Sequence, residues 1–155
     1  MSDGPPPALP GAVLFACNFN RVRSAMAENL VKLMYGTRVY VDSCGLRQDE
    51  ETEADPFAIA VMDELGADLR HHRPKTFDDL EDDSFDLVVS LTPEAQHRAT
   101  ELARGRAVEL IYWPTQDPTL AMGSREAVMD AYREVRDALA ARIRERFGKP
   151  ATFGG

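Results

Sequence analysis

Residues Leu14 to Glu28 read LFACNFNRVRSAMAE. A short apolar run ends at Cys17, five residues follow, and Arg23-Ser24 opens a segment in which Met26, Ala27, Leu30, Leu33 and Met34 recur at helical spacing. The pattern predicts a buried strand over Ala12–Ala16, a loop of the form Cys-x5-Arg-Ser, and a helix from Ser24 to about Tyr35, with Ser24 available as N-cap and Gly36 as stop. A loop between a strand and a helix N-terminus can turn its backbone N–H groups inward and hold a tetrahedral dianion, with one arginine as its only charged side chain. The same field favours the thiolate of a cysteine lying beneath it.

Outward from this stretch, strands and helices alternate. Thr37–Asp42 alternates polar and apolar residues and reads as a second strand, followed by a polar loop over Gly45–Glu53. Asp55-Pro56 starts a helix that Phe57, Ile59, Val61, Met62 and Leu65 carry to Gly66. A basic segment, LRHHRPKTF, is broken by Pro74, and Thr76–Leu80 suits one helical turn. Phe85–Leu91 reads as the third strand, Pro93–Leu102 as a helix capped by Thr92, and Ala107–Trp113 as the fourth strand. The segment PTQDPT then forms a loop, since two prolines interrupt it. A last helix begins at Ser124, with Val128, Tyr132, Val135, Leu139, Ile143 and Phe147 along one stripe, and ends at Gly148 and Pro150. The expected fold class is α/β: one three-layer domain whose parallel sheet is flanked by helices and binds ligands at the strands' C-terminal edge. The Cys17 and Asp117 loops both leave from that edge.

The 155 residues suit one domain over 12–148, between a Pro- and Gly-rich N-terminal arm (1–11), expected to be mobile, and a short tail (149–155). A net charge of −8 without a basic patch argues against nucleic acid. The acidic runs Asp49–Asp55 and Asp78–Asp86 read as solvated surface; bordering the site, either would disfavour acidic substrates. No apolar run approaches the roughly 18 residues of a membrane span, and two cysteines, Cys17 and Cys44, suit a reducing compartment, so the expected location is the cytoplasm. The sequence leaves the oligomeric state open.

These residues permit hydrolysis of a phosphomonoester. Cys17 is the candidate nucleophile, forming a phosphocysteine, and the planar fork of Arg23 suits two phosphoryl oxygens at once. Backbone N–H groups from Asn18, Phe19, Asn20, Arg21, Val22 and Ser24 would complete the cradle, and the Ser24 hydroxyl is placed to donate to the thiolate. Asp117, on the neighbouring loop, is the candidate general acid. Each feature alone has a plain reading. A cysteine ending a strand is most often packing, Cys-x5-Arg arises by accident, and Asp-Pro is a turn. Their conjunction carries the assignment. His71 and His72 are adjacent and point apart, so no metal site is expected. Cys44 reads as core filler, with a redox role left open, and Trp113 as packing rather than a substrate platform.

With Cys17-Asn18-Phe19-Asn20-Arg21-Val22-Arg23-Ser24 followed by Met26-Ala27-Glu28, the chain resembles the low-molecular-weight protein tyrosine phosphatases, a family that also includes one class of arsenate reductases. The family's loop is Cys-x-Gly-Asn-x-Cys-Arg-Ser, and the resemblance runs from about Val13 to Phe147. It implies a flavodoxin-like sheet of order 2-1-3-4, no cofactor, and a phosphorylated protein or small phosphomonoester as partner, with phosphotyrosine the default. It further implies that Asn20 holds the loop's strained shape, that Ser43 of Asp42-Ser43-Cys44-Gly45 and His72 support the loop, and that Asp117 of Asp117-Pro118 is the acid.

The departures are specific. Phe19 replaces the loop glycine, which implies either a less strained backbone there or a bulky residue tolerated at the rim, and Val22 replaces the second loop cysteine, so the usual reversible disulfide is absent. Acidic residues near Gln48–Glu51, and Thr119-Leu120 after Asp-Pro, stand where aromatic walls are common. Thr92-Pro93 replaces an acidic residue usual after the third strand. Two other readings compete: arsenate reduction with a small external thiol, since Phe85–Arg104 lacks the relay cysteines of thioredoxin-coupled reductases, and a phosphate-binding module without turnover.

Overall fold

The computed structural model describes residues 9–81 and 84–150. Four parallel strands, β1 (Ala12–Cys17), β2 (Tyr40–Gly45), β3 (Leu87–Ser90) and β4 (Glu109–Tyr112), lie in the order β2-β1-β3-β4. The helices are α1 (Arg23–Tyr35), α2 (Pro56–Asp63), α3 (Pro93–Ala103) and α4 (Arg125–Phe147), with short 3-10 turns at Gly36–Arg38, Phe77–Asp79 and Pro118–Leu120. The class and strand order are those expected.

The two-residue period of a strand divides the core. Val13, Phe15 and Cys17 of β1 face a cluster built with α1, α2 and α4, whereas Leu14 and Ala16 face Phe77, Phe85, Val88 and the α3 alanines Ala95 and Ala99. Tyr132, Val135, Leu139, Ile143 and Phe147 form the buried stripe of α4, with Val128 packed beside it. The Tyr35 hydroxyl donates to Gly148 O at 2.7 Å, fastening the end of α4 to α1. Trp113 packs beside Phe15, ring centroids 6.3 Å apart, as filler at the strand end. Cys44 is fully buried in the α3-side cluster.

Several boundaries differ from expectation. The second strand starts at Tyr40, not Thr37, because the chain leaves α1 through the turn Gly36–Arg38, and it continues to Gly45 because β1 pairs with it from Ala12↔Tyr40 to Cys17↔Gly45. Ser and Gly are weak strand formers, so pairing rather than propensity extends β2. β3 and β4 are shorter than their apolar runs, being limited by their four paired positions. Ser24 is not the α1 cap: Val22 occupies that position without a side-chain bond, and the Ser24 hydroxyl is used elsewhere. The caps Asp55, Thr92 and Ser124 each accept the expected backbone N–H bonds.

Most of the N-terminal arm lies outside the described residues; of its end, Leu9 packs against the core and Gly11 O accepts from Tyr40 N at 2.9 Å. No helix among the described residues is long and apolar enough to cross a membrane.

The C-terminal end of β2 presses against the Cys17 loop. A Cβ on Gly45 would stand 2.7 Å from the Phe19 carbonyl carbon and 2.8 Å from Asn18 O. Both are backbone atoms, so Gly45→Ala is expected to displace the loop and cost about 1–3 kcal/mol, read as a lowered urea midpoint together with weakened vanadate binding.

Candidate active site

The loop between β1 and α1 meets its surroundings through carbonyl oxygens. Cys17 O and Asn18 O accept from Leu46 N, Arg21 O from Asp55 N, and Val22 O from Met26 N. Asn20 O faces His72 Nε2 at 2.8 Å, which assigns the neutral imidazole its proton on Nε2. In a trans peptide the carbonyl and the following N–H point opposite ways. Outward carbonyls therefore turn the N–H groups of Asn18, Phe19, Arg21, Val22 and Arg23 toward the concave side, the arrangement that binds an anion.

Asn20 holds this shape. It is the only non-glycine residue with positive φ among those described, at 62°, a conformation asparagine tolerates better than most residues. Phe19, at the family's glycine position, is not in the left-handed region. The Asn20 amide donates to Ser24 Oγ and Ser43 Oγ, each at 2.8 Å, and Lys75 N–H donates to its Oδ1 at 3.1 Å, fixing which end is nitrogen. The Ser43 hydroxyl in turn donates to Glu28 Oε1 at 2.5 Å. Ser24 Oγ, which accepts from Asn20, lies 2.9 Å from Cys17 Sγ, where either atom can donate, and 3.4 Å from Cys44 O, to which it can also donate. A thiolate at Cys17 could only accept, and Ser24 would then be its donor.

Cys17, Phe19, Asn20, Arg21, Val22, Arg23 and Asp117 line one cavity of about 260 Å³, together with Asp49, Asp55 and Thr119. Arg23 is anchored through Nη1 to Thr115 O at 3.0 Å, and its Nη2 lies 3.8 Å from Asp117 Oδ2. Thiol, guanidinium and carboxyl, separated by up to a hundred residues, converge on one space. Asn18 stands at the edge, its Oδ1 accepting from Thr92 Oγ1 at 2.8 Å. Phe19 is half-exposed at the mouth, with the Arg47 guanidinium 5.5 Å above its ring. The Arg21 guanidinium is engaged by Glu53 O at 2.8 Å and by Asp49, another residue of the cavity wall, at 3.2 Å.

Sequence reasoning missed some of this. Glu28 is visible in the sequence only as part of Met-Ala-Glu, Thr92 only as a cap and as a departure from the family's acidic residue, and Thr119 only as a missing aromatic. The acidic run Asp49–Asp55, read as solvated surface, borders the cavity through Asp49 and the buried Asp55, which accepts from Tyr132 OH at 3.0 Å. Cys44 pairs with Ala16 across the sheet and shares its face, opposite that of Cys17. Its thiol pKa is pushed up, first by burial. His71 is exposed while His72 is partly buried, and among the described residues no group of three His, Cys, Asp or Glu is placed to hold a metal ion.

Residues 12–147 match the family described as low molecular weight phosphotyrosine protein phosphatase. The chain belongs to this family. Its members include arsenate reductases: that of Halalkalibacterium halodurans is 31% identical over 85% of this chain and 91% of its own length, and the glutaredoxin arsenate reductase of Synechocystis is 28% identical over 88% and 96%. Among solved structures, a YwlE mutant from Bacillus subtilis superimposes with a TM-score of 0.70 at 26% identity, covering 86% of this chain and 94% of that one.

Burial pushes the His72 pKa down, against the opposing effects of the Asn20 carbonyl and Glu28. An unfolded imidazole titrates near pH ~6.5, so between that and the lower folded value the unfolded chain binds more protons. The contribution is full above pH ~6.5 and is lost as pH falls through the folded value. The melting temperature is expected to drop between pH 7 and pH 5, and His72→Gln to flatten that limb, measured by circular dichroism.

Proposed function

We propose that this protein hydrolyses phosphomonoesters through a phosphocysteine intermediate, with phosphotyrosine as the default substrate. The observation that supports this best is the convergence of Cys17, Arg23 and Asp117 on one cavity that the chain's other cysteine does not face. The phosphoryl oxygens are held by the inward N–H groups and Arg23 while the Cys17 thiolate attacks phosphorus opposite the leaving oxygen. Asp117 protonates that oxygen as the P–O bond breaks. It then takes a proton from water as water displaces sulfur, releasing inorganic phosphate and restoring the thiolate. Transfer of phosphate needs no electrons, so one thiol suffices. The retained carboxyl also argues against a pure binding module, which needs no acid.

The names of the relatives favour a second reading, arsenate reduction. Arsenate copies phosphate and would be attacked by the same thiolate, but its reduction takes two electrons, and the second thiol must come from outside because Cys44 is buried on the other face. Glutathione or a glutaredoxin is then the required donor.

The two readings separate in one set of assays. Phosphate release from p-nitrophenyl phosphate and a phosphotyrosine peptide is expected for the wild type and is expected to vanish in Cys17→Ser. Glutathione- and glutaredoxin-dependent arsenate reduction exceeding esterase activity would reverse the order of the two readings. Binding of vanadate with neither turnover would leave a binding module. In a separate test, Cys44→Ala is expected to leave both turnover and the rate of peroxide inactivation unchanged, because no disulfide links the two faces of the sheet.

A further inference from the structure

Thr119 follows Asp117-Pro118 and donates twice to a single carboxyl oxygen: its N–H lies 3.0 Å and its hydroxyl 2.7 Å from Asp117 Oδ1. The other oxygen, Oδ2, receives neither bond and faces Arg23 Nη2 at 3.8 Å, beyond hydrogen-bond distance. Thr119 itself lines the cavity with Cys17 and Arg23. The two oxygens of a carboxyl group are equivalent until their surroundings distinguish them. An oxygen already accepting an N–H and an O–H cannot carry the acid's proton without losing one of these bonds, so the proton belongs on the other oxygen. Any residue but proline at position 119 supplies the amide bond. Only serine or threonine adds the hydroxyl at the same place, and that hydroxyl makes the shorter of the two bonds.

We propose that Thr119 is a positioning residue for the acid: its hydroxyl locks the Asp117 carboxyl about its last torsion and assigns the transferable proton to Oδ2. The assignment rests on the hydrolase reading above. As the bond from Cys17 sulfur to phosphorus forms and the ester P–O bond breaks, the Oδ2 proton passes to the leaving oxygen. In the second step the Oδ2 carboxylate takes a proton from water while water oxygen bonds phosphorus and the S–P bond breaks. Without the hydroxyl only the amide bond at 3.0 Å still distinguishes the two oxygens, and the carboxyl turns more readily to the orientation that points the proton away from the cavity. The loss is therefore confined to chemistry that needs a proton. An ester whose leaving group departs readily as an anion barely registers it; a poor leaving group does.

The test compares kcat/KM, which reports the step that cleaves the ester, for phenyl phosphate and p-nitrophenyl phosphate in the wild type, Thr119→Val and Thr119→Ser. Valine keeps the shape and removes the hydroxyl. It is expected to lower kcat/KM about tenfold on phenyl phosphate and no more than about twofold on p-nitrophenyl phosphate. Serine is expected to restore both. In an Asp117→Asn background Thr119→Val is expected to have no further effect, since no acid remains to be positioned. Equal losses on the two esters, or an undiminished loss in the Asp117→Asn background, would mean that Thr119 only shapes the loop and would overturn the proposal while the hydrolase reading stands. Release of phosphate from neither ester by the wild type would sink the hydrolase reading and this role with it.

Discussion

The side-chain amide of Asn20 is the junction on which the site depends. An L-residue at φ 62° is held in a conformation it visits rarely, and what holds it is a set of bonds from three separate segments: Ser24 on α1, Ser43 on β2 and the backbone of Lys75. Buried side-chain networks of this kind hold one shape when every member is satisfied and become costly when one is not. Here the satisfaction has a direction. The Glu28 carboxylate can only accept, so Ser43 donates to it; the Asn20 amide nitrogen can only donate, so both serine oxygens accept from it, and Ser24 stands 2.9 Å from Cys17 Sγ. Loop shape and sulfur chemistry are thus one structural problem, solved by the same hydrogen bonds.

The second half of the site comes from the far end of the chain. Parallel strands place every strand-to-helix connection at one edge of the sheet, so the segment after β4 reaches the segment after β1 although about a hundred residues separate them. The contact between them is the Arg23 guanidinium, bonded to Thr115 O and near Asp117. The same two-faced sheet separates the two thiols. Cys17 and Cys44 belong to adjacent paired strands, yet alternation of side chains puts them in different layers. On the proposed hydrolase reading one thiol suffices, whereas a two-electron reduction requires a thiol from solution. That asymmetry weighs the hydrolase against the reductase named among its relatives.

Much was legible in the sequence, for reasons of range. The β1–loop–α1 unit and the α4 stripe are written in contiguous residues, with hydrophobic period and helix stops in agreement, and the family motifs located Cys17, Arg23 and Asp117. Boundaries failed where pairing overrode propensity. β2 runs on through Ser43-Cys44-Gly45 because β1 continues beside it, and Ser24, a good cap by composition, is the second residue of α1, with its hydroxyl bound within the site.

The sequence by itself determined the α/β class, the loop, and the identity of thiol, guanidinium and carboxyl, because each is a property of residue type and local spacing. Only the tertiary structure decided that Arg21 is engaged by Asp49 and Glu53, that Glu28 accepts from Ser43, that Thr92 reaches Asn18, and that Cys44 lies on the wrong face to meet Cys17. These are choices of direction for a side chain between partners distant in the chain. Hydrogen bonds and sheet faces make such choices over a few ångströms in space, and no one-dimensional spacing encodes them.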